Sequence, residues 1–239
     1  MTSDSTPLAV VTGGARGLGA AVALRLQRSG FKVTTWDLAF PEEAVAEVDR
    51  VVVDVTNEPE VDRAIESLGR PVDLLVNNAG VNDPVNTFDL ELSAWERILS
   101  VNLTGTLICA RAAARTMRSR GGAIVNIASI AGLVGFSAHS SVAYAASKGG
   151  VISMTRALAV EWAKEHIAVN AVAPGMVETE LTRARLTSPA YREAILSRSP
   201  SNSLVSVAAV EDAVLYLASQ PSDAVSGQVL AVDGGWTAS

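Results

Sequence analysis

Tyr144 and Lys148 stand four residues apart in the stretch SVAYAASKGG at positions 141–150. Four residues is close to one helical turn, so on a helix the phenol and the ammonium share a face. A phenol has a pKa of about 10 and is a poor base at neutral pH. Bringing it to about 7 takes roughly 4 kcal/mol in favour of the phenolate. An ammonium about 4 Å away, in an effective dielectric of about 20, supplies a similar amount before desolvation. A tyrosine tuned in this way can take a hydroxyl proton as hydride leaves carbon, or return it in the reverse direction. Read singly, Tyr144 is equally a half-buried aromatic and Lys148 an exposed helix charge.

A second group of residues has the spacing of a dinucleotide site. The segment TGGARGLG, Thr12 to Gly19, places Gly13, Gly17 and Gly19 between an apolar strand and a helix starting near Gly17. Such a turn lets backbone N–H groups approach a pyrophosphate at a helix N-terminus, where the dipole favours negative charge. The plainer reading is a tight strand-to-helix turn needing positive φ. Asp37 follows Gly19 by eighteen positions and closes the second apolar run. A carboxylate there can bond both ribose hydroxyls of NAD and repels the 2′-phosphate of NADP. Arg16, inside the glycine turn, pulls the other way, because its guanidinium can attract that phosphate. Asp37 opposes the phosphate directly, so NAD is the expected cofactor and NADP the less favoured one. Asp54 closes the third run, either to accept a bond from the adenine amino group or to make an Asx turn. In NNAG, Asn77 to Gly80, the small residues let a flat ring or ribose lie close to the backbone, although taken alone the segment reads better as a plain turn containing Gly.

These residues need a scaffold that brings strand ends together. Short apolar runs begin at Leu8, Lys32, Arg50, Val72, Gly122, Ile167 and Gln228. Helical patterns lie between them, such as Ala20 to Ser29, Ser93 to Arg120, Ala143 to Glu165 and Val210 to Ser219. The strands read as nearly continuous apolar runs, the mark of a parallel sheet buried on both faces. Strand–helix alternation throughout predicts a doubly wound α/β fold in a single domain over 1–239, after a flexible stretch at 1–7. The interval from Asp37 to Arg50 is too brief for a long crossover helix, so that connection should be abbreviated.

Composition excludes several other functions. The 239 residues are 49% apolar, enough for one substantial core, and the formal net charge is −6. An acidic chain with no basic block is a poor partner for nucleic acid or a membrane surface. No apolar run is long enough to span a bilayer, and MTSDSTP lacks a signal core. Cys109 is the only cysteine, so no internal disulfide forms, and His139 and His166 cannot make the usual His/Cys metal cluster. The chain is therefore expected in the cytoplasm, with no metal, and any redox chemistry rests on an organic cofactor. The stretches LICARAAA and VISMTRALAVEW carry apolar or small residues on more than one helix face. One stripe suffices to cover a sheet, so the surplus predicts burial against another subunit.

With these residues in place, the chain resembles the short-chain dehydrogenase/reductase family along essentially its whole length. The resemblance rests on TGGARGLG, NNAG, the asparagine of SVNLTG, the serine of NIASIAG, YAASK, VNAVAPG with nearby Thr179, and SGQVLAVDGG. It implies a Rossmann-type domain with a sheet of usually seven strands, often assembled as a homotetramer. It also implies a catalytic tetrad of Asn102, Ser129, Tyr144 and Lys148. In that tetrad Ser129 donates to the developing oxyanion and Asn102 holds a water that extends a proton path from Lys148. Cofactor contacts are implied at Gly13, Arg16, Gly17, Leu18, Gly19, Asp37, Asp54, Val55, Asn78, Ala79, Gly80, Tyr144, Lys148, Pro174, Gly175, Val177 and Thr179.

The sequence departs from the family pattern in places. Ser129 and Tyr144 are fifteen positions apart, slightly more than usual, and the extra residues fall in GFSAHSS with His139, read as a loop histidine. Ala168 stands where relatives commonly carry arginine. A substrate lid is expected over about 176–203, with Arg183, Arg185, Arg192 and Arg198 beside Glu178, Glu180 and Glu193. A solvated helix with internal charge pairs is the expectation there, and a carboxylate-receiving arginine the alternative. The expected activity is NAD(H)-dependent interconversion of a small-molecule secondary alcohol and a ketone. The alternatives are an NADPH-dependent 3-oxoacyl thioester reductase and a non-catalytic dinucleotide-binding protein.

Overall fold

The computed structural model describes residues 6–41, 48–118, 120–135, 141–219 and 224–239. Most of the stretch at 1–7, the middle of the Asp37–Arg50 connection, and His139 with its loop lie outside the described residues.

Seven parallel strands form one sheet: β1 (Leu8–Thr12), β2 (Lys32–Asp37), β3 (Asp49–Val52), β4 (Leu74–Asn77), β5 (Gly122–Ile127), β6 (Ile167–Pro174) and β7 (Val229–Val232). Their spatial order is β3-β2-β1-β4-β5-β6-β7. The expected doubly wound α/β arrangement is therefore present. Strand side chains alternate between two cores, as the pleat requires. Val10, Leu75, Ile124 and Val169 face one core. Ala9, Val11, Leu74, Val76, Ala123 and Val125 face the other. Both faces are covered, which is why the strands are apolar throughout.

Helices α1 (Gly17–Arg28) and α8 (Val207–Ala218) cover one face through Val22, Leu26, Val210, Val214 and Leu217. Helices α2 (Glu58–Ser67), α4 (Thr106–Met117) and α5 (Val142–Glu161) cover the other, with Val61, Cys109, Ala113, Met117 and Leu158 inside. Helix α2 escapes the sequence reading. It starts at Asn57, whose side chain accepts from the Glu60 N–H at 3.4 Å, while Glu60 Oε2 accepts from the Asp54 N–H at 3.0 Å. The stretch read as one helix from Ser93 to Arg120 is three pieces: α3 (Leu92–Leu99), a π-helical turn at Ser100–Gly105, and α4. A π turn widens the ladder locally and re-aims the side chains it carries. The pattern read as helix to Glu165 ends at Glu161, followed by a 3₁₀ turn (Ala163–Glu165) and a left-handed His166 at φ 56°. Between β6 and α8 lie two short helices, α6 (Glu180–Leu186) and α7 (Pro189–Leu196). Among the described residues no helix is long and apolar enough to cross a membrane.

The chain direction of crossovers reverses between β1 and β4. Ligands of open α/β sheets bind at such a switch point, beyond the carboxyl ends of the strands.

Candidate active site

A cleft of about 690 Å³ runs along that carboxyl edge. At one end the glycine turn is fitted to its neighbours at backbone distance. A Cβ on Gly19 would lie 2.1 Å from the Gly13 carbonyl oxygen, and one on Gly13, at φ 64°, 2.8 Å from Ala79 Cα. Gly17 has φ 57°, and a Cβ there would meet open space. Thr12 joins this turn to the segment after β4: its Oγ1 accepts from the N–H groups of Asn78 and Ala79, each at 3.1 Å. Asn78 Nδ2 donates in return to the Thr12 and Gly13 carbonyls at 3.1 and 2.9 Å. Leu18 and Gly80 line the cleft beside them. The N-cap position of α1 is Arg16. A guanidinium has no acceptor, so the cap itself cannot satisfy the first N–H groups of the helix.

Asp37 ends β2 at the cleft wall. Its Oδ2 accepts from the Ala15 N–H at 3.0 Å and its Oδ1 from the Leu38 N–H at 2.8 Å. Arg16 is exposed at the cleft rim. Both readings of Asp54 hold in geometry: it lines the cleft, and its Oδ1 accepts from Thr56 N–H and Oγ1 at 2.9 and 2.7 Å in an Asx turn. Val55 is buried beside it. On the opposite wall Pro174, Gly175, Val177 and Thr179 follow β6. The Thr179 N–H donates to Thr182 Oγ1 at 2.9 Å, which itself donates to the Val177 carbonyl at 2.6 Å. These residues fit a dinucleotide: a glycine cradle that a Cβ would fill, an uncapped helix start, and a carboxylate placed by the backbone.

At the other end lie Ser129, just past β5, with Tyr144 and Lys148 on α5. The Ser129 hydroxyl lies beside the Tyr144 hydroxyl and favours its charged form, and Ser129 Oγ accepts from the Ala131 N–H at 3.2 Å. A 3₁₀ turn (Ile130–Gly132) seats Gly132 on the α5 backbone, where a Cβ would stand 2.6 Å from the Lys148 carbonyl carbon. Lys148 is 4% exposed. Its Nζ donates to the Ile127 carbonyl at 2.6 Å and stands 5.6 Å from the Tyr144 ring centroid.

The electrostatics differ from the sequence argument, in which Lys148 lowers Tyr144 toward neutrality. Burial raises the Tyr144 phenol above its ordinary value, opposed by the Ser129 hydroxyl and by the positive charge of Arg185. Burial also brings the Lys148 ammonium down to about 8. The physical reason is that a buried ammonium is itself destabilised, and its hydrogen bond goes to a main-chain carbonyl.

A family model described as enoyl-(acyl carrier protein) reductase matches residues 13–237. The chain belongs to the short-chain dehydrogenase/reductase family. It is 41% identical to the cis-4-hydroxycyclohexanecarboxylate dehydrogenase of Sinomonas cyclohexanicum, over 97% of this chain and 96% of the relative. It is 38% identical to the 2-(R)-hydroxypropyl-CoM dehydrogenase of Xanthobacter autotrophicus, over 97% and 98%. A solved structure of a putative 2-deoxy-D-gluconate 3-dehydrogenase from Agrobacterium tumefaciens, with bound NADP, superposes with a TM-score of 0.90 at 31% identity. That match covers 99% of this chain and 98% of that one. This short-chain dehydrogenase/reductase is thus an oxidoreductase acting on CH–OH groups with a nicotinamide dinucleotide.

Of the four residues expected to form a tetrad in this short-chain dehydrogenase/reductase, Ser129, Tyr144 and Lys148 line the cleft and Asn102 is outside its lining. Asn102 is fully buried in the π turn. Its Oδ1 accepts from the Val81 N–H at 2.8 Å, and its Nδ2 donates to the Val81 carbonyl at 2.9 Å and Ser147 Oγ at 3.0 Å. Through these bonds it clamps the segment after β4 to α5. A Cβ on Gly80 would lie 3.3 Å from Asn102 Oδ1 and 3.7 Å from Lys148 Nζ, so both side chains border this glycine. The sequence reading did not single out Thr12 or Thr182, and it set Arg185 among solvated charges, whereas Arg185 lines the cleft. The signal was available: Thr179, Thr182 and Arg185 recur at three-residue intervals, one helix face.

Proposed function

We propose that this chain is an NAD(H)-dependent dehydrogenase interconverting a secondary alcohol and a ketone. The observation that carries the reading is Ser129, Tyr144 and buried Lys148 gathered at the end of a cleft whose other end holds Asp37. The dinucleotide, when bound, accepts or supplies the hydride. Ser129 orients the substrate oxygen and donates to it as negative charge develops. Tyr144 takes the hydroxyl proton in oxidation and returns it in reduction. Lys148 holds positive charge beneath the phenolate, and Asn102 fixes the wall that Lys148 packs against. Residues at Gly13, Gly17 to Gly19, Asn78 to Gly80 and Pro174 to Thr179 bind the dinucleotide.

The chain acts as one domain, and 176–203 serves as its substrate lid. It assembles as a homotetramer in the cytoplasm. Leu107 on α4 and Val160 on α5 support the assembly, since they are apolar and 38% and 81% exposed. The relative acting on cis-4-hydroxycyclohexanecarboxylate supports a small cyclic alcohol as substrate.

Arg16 favours a second reading, an NADP(H)-dependent reductase, because it stands at the rim where a 2′-phosphate would lie. The NADP-bound relative points the same way. One measurement separates the readings: reduced-nicotinamide absorbance during turnover of a panel of secondary alcohols and ketones, with each cofactor. Turnover favouring NAD supports the first reading, a preference for NADP the second, and no turnover on the whole panel a non-catalytic protein. Sedimentation that finds only monomer at micromolar concentration would remove the tetramer.

A further inference from the structure

The cleft separates its charges. Asp37 and Asp54 lie at the ends of the second and third strands, whereas Ser129 follows β5. Strands are about 4.8 Å apart, so β2 and β5 are about 14 Å apart along the sheet. At the Tyr144 end, among the described lining residues, the charged side chains are Lys148 and Arg185. The remaining wall there is largely apolar, with Val81, Ile127, Ile130, Ala131, Met176 and Val177. Such a chamber receives a mostly apolar molecule bearing an anionic group, because a buried anion needs a matched cation.

Lys148 donates to the Ile127 carbonyl and stands under Tyr144. Arg185 reaches the same chamber from another element. It comes from α6, on the face that Thr179 and Thr182 present to the cleft, and it is half-buried. Two residues along a helix turn through about 200°, so Arg183 falls on the opposite side, and it is exposed. The other arginines of the segment lie elsewhere: Arg192 faces Glu178 at 3.8 Å, and Arg198 stands 5.5 Å over the Trp236 ring. Of the four, Arg185 alone lines the cleft.

We propose that Arg185 is the receptor for a carboxylate on the alcohol or ketone that this enzyme converts. The proposal rests on the dehydrogenase reading above and adds the substrate class. Three observations converge on it. Arg185 shares one chamber with Ser129 and Tyr144. Its charge is felt at the Tyr144 hydroxyl, so it lies within electrostatic reach of the reacting oxygen. The protein as a whole carries a net charge of −6, which repels anions, so an anionic substrate needs a local cation to hold it. A guanidinium presents a planar fork that matches a carboxylate in two parallel hydrogen bonds. It thereby fixes the orientation of the substrate as well as its affinity.

The test uses the whole enzyme saturated with NAD⁺ and pairs of equal shape and different charge. Cyclohexanecarboxylate, 3-methylbutanoate and their primary amides are titrated by calorimetry into wild type, Arg185→Gln and Arg185→Lys. A carboxylate should bind wild type about tenfold or more tighter than its amide, the gain of one charge-assisted pair. Arg185→Gln should erase that ratio and leave amide and NAD⁺ affinities within about twofold, and Arg185→Lys should retain part of it. Turnover of 4-hydroxycyclohexanecarboxylate against its amide should show the same ratio in kcat/KM. Any general effect of Arg185 on Tyr144 acts on both members of a pair and cancels. Carboxylate preference surviving Arg185→Gln, equal weakening of both ligands or of NAD⁺, or no carboxylate binding by wild type would each overturn the proposal. Turnover without Arg185-dependent discrimination sinks the receptor and leaves the dehydrogenase. Arg185-dependent carboxylate binding without turnover of any alcohol does the reverse.

Discussion

The main-chain N–H of Ala15 donates to Asp37 Oδ2 at 3.0 Å, tying the glycine turn to the end of β2. The carboxylate is therefore held at the wall by the backbone that forms the phosphate cradle. Cofactor choice and the geometry of the turn are linked through this one bond, and a substitution at Asp37 has to be chosen with that in mind.

Asp37→Asn removes the charge and keeps an acceptor for Ala15, so it isolates electrostatic selection. A charge-assisted hydrogen bond contributes about 1.5–3 kcal/mol, so an NAD preference of at least about tenfold is expected in wild type and should shrink by a similar factor. Arg16→Ala in the Asp37→Asn background should then cost NADP more than NAD. The readout is kcat/KM for both cofactors at fixed ionic strength. A wild type that prefers NADP would hand selection to Arg16.

Tyr144→Phe keeps the ring and removes the hydroxyl that lies beside Ser129. Proton transfer by a positioned side chain contributes about 10²–10⁴-fold, so kcat should drop by that range. Dinucleotide affinity, read by quenching of tryptophan fluorescence, should stay within about twofold, since the cradle lies at the other end of the cleft. Turnover at the wild-type rate would exclude Tyr144 as the proton carrier.

Lys148 carries a pH signature. Its folded pKa of about 8 lies below the unfolded value, so between the two the unfolded chain binds more protons and stability rises with pH. The burial penalty is full below pH 8 and is relieved between about pH 8 and 10.4, by about 3 kcal/mol. Lys148→Met lacks this titration. Denaturant unfolding of the cofactor-free protein should therefore show wild type gaining stability relative to the variant across that window. A constant difference from pH 7 to 10.5 would mean that the ammonium is solvated.

Gly19 and Gly17 make opposite demands. An alanine at 19 would drive its Cβ to 2.1 Å from the Gly13 carbonyl oxygen, a backbone contact that cannot give way cheaply. Gly19→Ala should lower stability by about 1–3 kcal/mol and weaken dinucleotide binding more than tenfold. At Gly17 a Cβ meets open space, and only the φ of 57° opposes it. Gly17→Ala should cost about 1 kcal/mol in stability. Thermal unfolding and dinucleotide titration of the two variants test the ranking.

The strands, their parallel direction and the glycine turn were legible because burial on both faces writes a continuous apolar run, and backbone contact leaves glycine as the residue that fits. The π turn at Ser100–Gly105 was not legible: one extra residue per turn leaves the surrounding helical pattern almost unchanged, and Asn102 reads as an ordinary interior polar residue until Val81 is placed beside it. Arg185 was misread for a different reason. Composition over 176–203 averages arginines and glutamates into a solvated surface, which describes Arg183 and Arg192 correctly. Only the orientation of a seven-residue helix separates Arg185 from them. The electrostatics of Tyr144 were missed because spacing along α5 reports a shared face and not where the ammonium places its hydrogen bond.

Gly132 rests directly on the backbone of Lys148. The serine-bearing turn and the tyrosine-bearing helix therefore meet main chain against main chain at this position. For directed evolution this makes position 132 a fixed point: a library that varies the chamber has to keep glycine there, because any Cβ would drive the two reacting groups apart.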